Sequence, residues 1–331
     1  MAKAKAQGKS QGKSQAAHDE SDVSPRDLAA RAAWLSFVGG MTQDQIAQEL
    51  GISRQRVQRL VARASAEGLV RVRIDHPIAE CLELERGLKR RFGLDAAWVS
   101  PQISGASDPL IGLAPFAVPV LERLFEREEA KVFALGTGRT LKTVVEHMQQ
   151  VDGARHKLVS LIGNVAPDGS ASFYEVIMQL AEKIRARHYP MAAPVFARSD
   201  EELALYRSLP HVKASRALAK SADMAIVGIG QLGDDAPLYV DGFLTAEELL
   251  DLRAGGGVGE ICGHVFNREG QYLDHPVNHR MVGVSVPVGD MPVYCIGAGT
   301  SKLEALRGAL SGGLIHGLFT DEWTARELVN S

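Results

Sequence analysis

Beyond Leu94, short apolar runs alternate with longer segments whose apolar residues have helical spacing. Runs of about four to eight apolar residues are typical of buried strands, and the periodic segments are typical of helices that cover a sheet. This alternation predicts an α/β domain with a largely parallel sheet covered on both faces. The predicted strands are Ala97–Val99, Val132–Leu135, Leu158–Ile162, Ala193–Phe196, Met224–Ile229, Gly259–Phe266, Met281–Val286, Val293–Ile296 and Leu314–Phe319. The predicted helices are Leu110–Arg127, Thr140–Gln150, Ser172–Arg187, Leu203–Ser208, Val212–Lys220, Ala246–Ala254, Lys302–Leu310 and Glu322–Val329.

Several of these strands run directly into glycines, at Gly136, Gly163, Gly228 and Gly297. In parallel α/β sheets, ligands bind beyond the carboxyl ends of the strands, where the loops let a ligand approach the backbone. The sequence therefore predicts a small-molecule site at this edge of the sheet.

The run from Met41 to Val61 has the spacing of a helix-turn-helix. Thr42 and Gln45 have capping-box spacing, which predicts the start of a first helix. Gly51 supplies a residue that can end this helix in a left-handed conformation, and Ser53 can cap the next one. The predicted inner faces consist of Ile46, Ala47, Leu50, Ile52, Val57, Leu60 and Val61, and Trp34 is predicted to lie in the same core.

In such a unit the second helix enters the major groove of DNA. Arginine pairs with guanine and glutamine with adenine, whereas serine and further arginines can contact phosphates. The alternative is an ordinary helical hairpin with a solvated basic face. We predict that base edges are contacted by Arg54, Gln55, Gln58 and Arg59, and the DNA backbone by Gln43, Ser53 and Arg63.

The charge distribution is compatible with this interpretation. Residues 1–78 carry 12 Lys and Arg against 8 Asp and Glu, which leaves 25 against 32 in the remainder, because the whole chain has 37 against 40. A basic end on an acidic body suits a protein that applies one end to a polyanion. A chance fluctuation with a solvated Lys-rich tail would give the same numbers.

Cysteine usage and hydropathy predict a cytoplasmic location. Cys81, Cys262 and Cys295 are odd in number and show no CxxC spacing, which favours a reducing compartment over a disulfide framework. The polar, Lys-rich N-terminus does not have the pattern of a secretory signal. No apolar run reaches the roughly 18 residues of a membrane span.

The domain organisation follows from these patterns. Residues 1–22 contain GKSQ twice in succession and few apolar residues, which predicts a disordered tail. We expect a helix-turn-helix domain over residues 23–76, with a β-like run at Leu69–Ile74 near its end. A linker helix over 77–92 and an effector and oligomerisation domain over 93–331 are expected to follow.

These segments together resemble the SorC/DeoR family of sugar-responsive bacterial transcriptional regulators. The resemblance covers nearly everything after residue 25. It implies that the larger domain is similar to the sugar-phosphate isomerase and CoA-transferase fold, retained for sensing rather than catalysis. It is carried by MTQDQIAQELGISRQRVQRLVARASAEGLVRVRI (41–74), ALGTGRTL (134–141), LVSLIGN (158–164), ADMAIVGIG (222–230), VGEICGHVFN (258–267), GAGTSK (297–302) and LSGGLIHGLFTDEWTARELV (310–329).

The loop between a predicted strand and helix at 136–140 can form an anion nest from backbone N–H groups and the helix dipole. The alternative is a tight turn that binds nothing. The resemblance implies that this loop binds the phosphate of the effector, through Gly136, Thr137, Gly138, Arg139 and Thr140.

The resemblance also implies roles for residues elsewhere. Lys302 is expected to reach the effector, Glu260 to lie near its hydroxyls, and Gly163 and Asn164 to lie opposite; Asn278 and Arg280 are weaker candidates, lining or structural. Some relatives have a lysine that can form a Schiff base where this chain has Ile162, so we expect reversible, non-covalent binding. Asn164 stands where the family usually has glycine, which is expected to narrow the pocket or add a hydrogen bond.

The sequence thus predicts a regulator of a carbohydrate or polyol catabolic operon. A homodimer or homotetramer is expected to bind double-stranded operator DNA under control of a sugar or polyol phosphate. We expect no catalytic activity, cofactor or metal, since His264, His275 and His279 lack metal-ligand spacing and loop carboxylates such as Asp235 and Asp241 are usually solvated. The alternatives are an isomerase-like enzyme and a sensor of an unphosphorylated polyol.

Overall fold

The computed structural model describes residues 24–70, 77–103, 108–166, 169–170 and 176–330. The chain divides into two compact units, Met1–Asp75 and His76–Ser331. The predicted disordered tail at 1–22 lies outside the described residues, as do residues 71–74 of the predicted β-like run. None of the helices in the described part of the chain combines the length and the apolar character that crossing a bilayer requires.

The smaller unit contains helices α1 (Pro25–Phe37), α2 (Gln43–Leu50) and α3 (Arg54–Ala66). Several alanines in its core let the helices approach one another closely. Trp34, which the sequence predicted in this core, is 59% exposed, because it lies on the opposite side of α1 from the buried alanines. The buried residues are Ala29, Ala32, Ala33, Ile46, Val57, Leu60 and Ala64.

Local interactions define the turn between α2 and α3. The backbone N–H of Thr42 donates to Oε1 of Gln45 at 2.8 Å, and the N–H of Gln45 donates to Oγ1 of Thr42, which confirms the predicted capping box. Gly51 ends α2 with φ of 66°, a left-handed conformation that favours glycine. Oγ of Ser53 accepts the N–H of Arg56 at 3.3 Å and caps α3.

The strands of the larger unit form two sheets in its described residues. Seven of them make a parallel sheet in the order β1-β10-β9-β5-β2-β3-β4, and β6-β7-β8 make a small antiparallel sheet. The strands are β1 (Ala96–Ser100), β2 (Val132–Leu135), β3 (Lys157–Val165), β4 (Arg187–Pro194), β5 (Met224–Gly228), β6 (Gly230–Gln231), β7 (Gly259–Ile261), β8 (His264–Phe266), β9 (Val293–Ile296) and β10 (Gly317–Asp321).

Helices cover both faces of the parallel sheet, as predicted. Because side chains alternate along a strand, Leu318 packs into one apolar cluster and Phe319 into the other. Helices α5, α6 and α7 pack on the Phe319 side, and α4, α9, α13 and α14 on the Leu318 side. The helices are α4 (Pro77–Phe92), α5 (Leu110–Phe125), α6 (Arg139–His147), α7 (Val176–Ile184), α8 (Asp200–Ser208), α9 (Pro210–Lys220), α10 (Pro237–Val240), α11 (Ala246–Ala254), α12 (Pro276–His279), α13 (Leu303–Ser311) and α14 (Glu322–Asn330).

Helix α4, over the predicted linker segment, packs within the larger unit. Leu88 is fully buried in the core that α4 shares with the parallel sheet. Nη1 of Arg91 donates to the carbonyl of Val329 in α14 at 2.8 Å. The segment therefore contributes to the core of the larger unit in addition to following the smaller one in the chain.

Three predicted strands differ in the structure. The strand predicted at Ala193–Phe196 shares only Ala193 and Pro194 with β4. The run 259–266 is a hairpin, because Cys262 and Gly263 adopt left-handed conformations with φ of 52° and 81° between β7 and β8. The run 281–286 is not assigned as a strand. It is a buried extended segment in which the N–H of Val282 donates to Val195 at 3.1 Å and that of Val284 donates to Leu161 at 2.8 Å.

Candidate functional site

The order of the parallel strands reverses beside β2. From β2 the chain proceeds to β3 and β4 on one side and then returns to β5 on the other side. The crevice beyond the carboxyl ends of two such strands is the usual ligand position in open parallel sheets. A cavity of about 260 Å³, which we call the effector cavity, lies there. Its walls include Thr137, Gly138, Arg139, Thr140, Ile162, Gly163, Gly228, Ile229, Gly230, Gln231, Asp235, Leu238, Asp241, Phe243, Glu260, Cys262 and Lys302.

The loop between β2 and α6 forms one end of this cavity. Gly138 precedes the first residue of α6 and has φ of 121°. The first backbone N–H groups of a helix have no acceptor within the helix, and its dipole is positive at this end. Thr140 is only 6% exposed and lines the cavity with its hydroxyl-bearing side chain. The loop thus offers hydrogen-bond donors and positive potential to an anion.

Arg139 lies at the same end but has an acidic partner. Its Nη2 donates to Oδ1 of Asp241 at 2.9 Å, and the two side chains are 49% and 23% exposed. Asp241 follows α10, so the ion pair joins the anion loop to the segment after β6. The guanidinium therefore borders the cavity with part of its charge already compensated.

Lys302 approaches the cavity from the other side of β5. It ends a short 3₁₀ turn before α13, and its Nζ donates to the carbonyl of Ile229 at 2.6 Å. Burial lowers the pKa of Lys302, and the carboxylate of Glu260 acts in the opposite direction. An anionic ligand in the cavity would therefore stabilise the charged ammonium.

Glu260 lies on β7 directly opposite Gly230 of β6. Its Oε2 accepts the N–H of Gly263 at 2.7 Å. Burial raises the pKa of Glu260, whereas this hydrogen bond and Lys302 lower it. A side chain at position 230 would overlap the carboxylate, because a Cβ there would meet Oε1 of Glu260. The glycine thus makes room for an acceptor that faces the ligand space.

The structure brings together seven of the predicted effector residues in the cavity wall: Thr137, Gly138, Arg139, Thr140, Gly163, Glu260 and Lys302. Gly136 lies outside the wall, since a Cβ on it would point at Sγ of Cys262 at 3.1 Å. Asn164 lies one residue further along β3 than Gly163 and also falls outside the wall.

The weaker candidates Asn278 and Arg280 have structural partners. Oδ1 of Asn278 accepts the N–H of Val265 at 2.8 Å, and its Nδ2 donates to the carbonyls of Val265 and Leu273. Arg280 forms an ion pair with Glu248. Both side chains stabilise the surroundings of the small antiparallel sheet.

Sequence reasoning missed several polar residues of the effector cavity. Gln231, Asp235 and Asp241 line it, and Nε2 of Gln231 donates to Oδ1 of Asp235 at 2.8 Å. The sequence analysis treated the two aspartates as solvated loop residues. Their position shortly after the glycines that end β5 was the available signal, because loops at strand ends carry ligand contacts in this architecture.

The second candidate site is the outer face of α3. Arg54, Gln55, Gln58, Arg59 and Arg63 are exposed there, and Val57, Leu60 and Ala64 are buried on the opposite face. Gln43 lies half-buried at the start of α2, and Ser53 caps α3. Arg56, which the sequence analysis did not single out, is also exposed on α3.

Two of the arginines on this face have acidic neighbours. Nη1 of Arg54 lies 3.2 Å from Oδ2 of Asp44, and Nε of Arg63 lies 2.6 Å from Oε1 of Glu67. Exposed pairs of this kind are weak, about 0–1 kcal/mol, so phosphates or bases can replace the carboxylates.

Comparisons with known proteins agree with this two-part architecture. Residues 76–330 match the family described as "Putative sugar-binding domain", and residues 32–77 match the MarR family. The erythritol catabolism regulatory protein EryD of Brucella abortus is 36% identical over 303 residues, which cover 91% of this chain and 96% of that protein. The transcriptional regulator LsrR of an Enterobacter species is 30% identical over 316 residues, covering 93% and 94% respectively.

Solved structures show the same fold. The full-length sorbitol operon regulator SorC from Klebsiella pneumoniae superimposes with a TM-score of 0.69 at 27% identity, covering 92% of this chain and 99% of that one. A DeoR family transcriptional regulator from Listeria monocytogenes gives a TM-score of 0.70 at 22% identity, covering 75% and 99% respectively. The predicted fold class, a helix-turn-helix domain with a larger α/β domain, is confirmed.

Proposed function

Because the chain belongs to the SorC/DeoR family of sugar-responsive bacterial transcriptional regulators, we propose that it controls a carbohydrate or polyol catabolic operon through a sugar or polyol phosphate bound in the effector cavity. The observation that carries the proposal is the convergence of an anion loop, a half-buried lysine and a half-buried carboxylate on one cavity at the strand-order reversal. A phosphate ester of a polyol has the matching anionic and hydroxyl ends.

The phosphate end is assigned to the loop at Thr137–Thr140. Helix-terminal N–H groups and threonine hydroxyls donate to phosphate oxygens, and Lys302 supplies positive charge nearby. The hydroxyl end is assigned to Glu260 and Gln231, because the carboxylate oxygens of Glu260 and the amide oxygen of Gln231 accept hydrogen bonds.

The size of the cavity favours a small effector. Small-molecule sites usually have volumes of about 300–1,000 Å³, and the effector cavity of about 260 Å³ lies just below that range. The cavity wall carries Ile162 where a Schiff-base lysine stands in some relatives, so we propose reversible binding without a covalent step and without a cofactor. Since EryD is named for erythritol catabolism, erythritol and its phosphate are the first compounds to test.

An unphosphorylated polyol is the second candidate. The ion pair between Arg139 and Asp241 favours it, because a paired guanidinium attracts an anion less strongly than a solitary one. An isomerase-like activity has less support, since the cavity wall is explained by binding alone.

The output is assigned to α3. We propose that the outer face of α3 contacts operator DNA, with base contacts from Arg54, Gln55, Gln58 and Arg59. The effector would shift an equilibrium between states with different operator affinity, in a homodimer or homotetramer on a roughly palindromic site.

A thermal-shift screen of the purified full-length chain tests the effector assignment. The compounds are tetritols, pentitols and hexoses, each with and without a phosphate group. A ligand at about a hundred times its Kd adds roughly 2.7 kcal/mol of stability, which gives a clear shift in Tm. We expect a phosphate ester to give the largest shift and its dephosphorylated partner to give little.

Variants locate the phosphate subsite. Thr137→Val combined with Thr140→Val removes two hydroxyls from the cavity wall and is expected to abolish the shift from the phosphate ester. Thr143→Val is the matched control, because its hydroxyl donates to the carbonyl of Arg139 within α6 and does not line the cavity. An unchanged response in the double variant, or equal shifts from ester and free polyol, would contradict a phosphate at this loop.

A further inference from the structure

A second cavity of the larger unit has a strongly cationic wall. Its volume is about 390 Å³, and it lies among α8, α9, β8 and the segment 283–289. The wall contains Arg207, Arg216, Lys220, His264 and Ser285. It shares no wall residue with the effector cavity in the described part of the chain, so the two cavities are separate.

No acidic side chain accompanies these cations in the described wall. Burial lowers the pKa of Arg207, and both burial and the charge of Arg207 lower the pKa of Arg216. Arg207 is exposed and Arg216 is half-buried, so the guanidiniums lose part of their hydration without an acidic neighbour in the described wall. A bound anion would supply the missing compensation.

Backbone carbonyls hold both guanidiniums in place. Nη2 of Arg207 donates to the carbonyl of Met281 at 2.7 Å. Nη1 of Arg216 donates to the carbonyls of Val282 and Gly283. A guanidinium has five N–H donors, so further donors on each head group are available to a ligand. Arginines held in this way can present their remaining N–H groups to the oxygens of a tetrahedral anion.

His264 provides an independent indication of an incomplete polar site. The residue lines this cavity and is 9% exposed, and its Nδ1 is buried without a hydrogen-bond partner among the described residues. Buried polar atoms of side chains are normally satisfied by protein or by an ordered ligand or water. Ser285, in the same wall, adds a hydroxyl that can donate.

We propose that this cavity is a second anion site, which binds a phosphate group through Arg207, Arg216 and Lys220. The phosphate can be free or carried by a small ester, since both present the same oxygens to the guanidiniums. The site is separate from the proposed effector site, so each can exist without the other.

Isothermal titration calorimetry of the full-length chain with inorganic phosphate tests this site, with glycerol 3-phosphate in a parallel arm. In the double variant Thr137→Val and Thr140→Val we expect one phosphate-binding event to remain. When Lys220→Glu or Arg207→Gln is added to that double variant, we expect this event to weaken at least tenfold. Lys213→Glu, an exposed position of the same helix outside the cavity wall, makes the same charge change and is expected to leave binding unchanged.

Circular dichroism of each variant establishes that it is folded, and Lys220→Glu carries the test if Arg207→Gln is not. Tighter binding of the ester supports an ester site, and tighter binding of inorganic phosphate supports a free-phosphate site. Absence of phosphate binding in the folded double variant would overturn the proposal. Unchanged binding after Lys220→Glu is added to the double variant would also overturn it. If that change altered only the sedimentation mass, the cavity would be identified as a contact between copies of the chain.

Discussion

Arg139 and Asp241 form an ion pair across the end of the effector cavity, with Nη2 and Oδ1 2.9 Å apart. The arginine belongs to the loop after β2, and the aspartate follows α10. An anion that enters the loop therefore competes with a carboxylate for the same guanidinium. This competition sets how strongly the loop prefers charged ligands over neutral ones.

Replacing Asp241 tests this competition. Asp241→Asn removes a negative charge beside the proposed phosphate subsite and is expected to tighten binding of the phosphate ester about fivefold, since half-exposed ion pairs are worth up to about 1 kcal/mol. Calorimetry with the ester that gives the largest thermal shift measures the change. Asp234→Asn is the control, because Asp234 is fully exposed and pairs with Arg253. Weaker binding in Asp241→Asn would mean that the carboxylate itself holds the ligand.

Glu260→Gln separates stability from ligand binding. Burial raises the pKa of Glu260 in the folded chain above its value in the unfolded chain. The free energy of unfolding therefore falls as the pH rises from the unfolded pKa to the folded pKa, because the unfolded chain releases this proton first. The amide has no such penalty, and at neutral pH the variant is expected to keep or raise the Tm. Ligand affinity is expected to fall about tenfold, because a hydrogen bond to a charged acceptor is worth about 1.5–3 kcal/mol and one to a neutral acceptor about 0.5–1.5 kcal/mol.

Thermal denaturation and calorimetry on the same preparations measure both effects of Glu260→Gln. The control is Glu269→Gln, an exposed acid after β8 outside the cavity. A parallel loss of Tm and affinity would show that Glu260 serves the fold and not the ligand.

Arginines on α3 are expected to differ in how they affect operator binding. Arg59→Ala should weaken binding to the operator by about 1–3 kcal/mol and reduce discrimination against a scrambled duplex, because arginine reads guanine through two hydrogen bonds. Arg63→Ala should weaken both duplexes equally and by less, since Arg63 is assigned to the backbone and pairs with Glu67. Fluorescence anisotropy at fixed salt measures both.

The control for the DNA measurement is Arg31→Ala, an exposed arginine of α1. It removes the same charge without altering α3. Equal losses for Arg31→Ala and Arg59→Ala would show that the contribution of Arg59 is only electrostatic.

His264 predicts a loss of stability in acid. Burial lowers its pKa to about 4 from an ordinary value of 6.5, and Arg207 and Arg216 add to this. The unfolded chain therefore binds the proton first. The contribution of neutral His264 to the free energy of unfolding is complete above pH 6.5. This contribution is lost as the pH falls towards 4, and the total loss is about 3 kcal/mol.

Urea unfolding of the full-length chain at pH 7 and pH 4.5 measures the acid effect. His264→Gln is expected to lack this part of the pH dependence, and His188→Gln, an exposed position on β4, is expected to retain it. An identical pH dependence in wild type and His264→Gln would mean that other groups cause the loss.

Local patterns were sufficient to predict the smaller unit. The capping box at Thr42 and Gln45 and the left-handed Gly51 depend on residues within a few positions of one another, so the sequence displays them directly. Trp34 was predicted wrongly because an apolar residue on a short helix can face either way, and alanines already fill this core.

Tertiary contacts explain what the sequence did not reveal in the larger unit. The role of Asp241 depends on Arg139, about a hundred residues earlier in the chain, and no local spacing encodes that distance. The strand predicted at 259–266 is divided by a left-handed Cys262, a conformation that is uncommon for residues with a side chain.

The opposition of Gly230 and Glu260 has an evolutionary consequence. A mutation that adds a side chain at Gly230 would require the carboxylate of Glu260 to move from its present position. Gln231 and Asp235, in the adjoining segment, face Gly233 in the same way, because a Cβ there would lie 2.6 Å from Oε1 of Gln231 and 3.3 Å from Oδ1 of Asp235. Divergence among descendants of this chain is therefore expected to retain Gly230 and Gly233 wherever the polar side chains that face these glycines are retained.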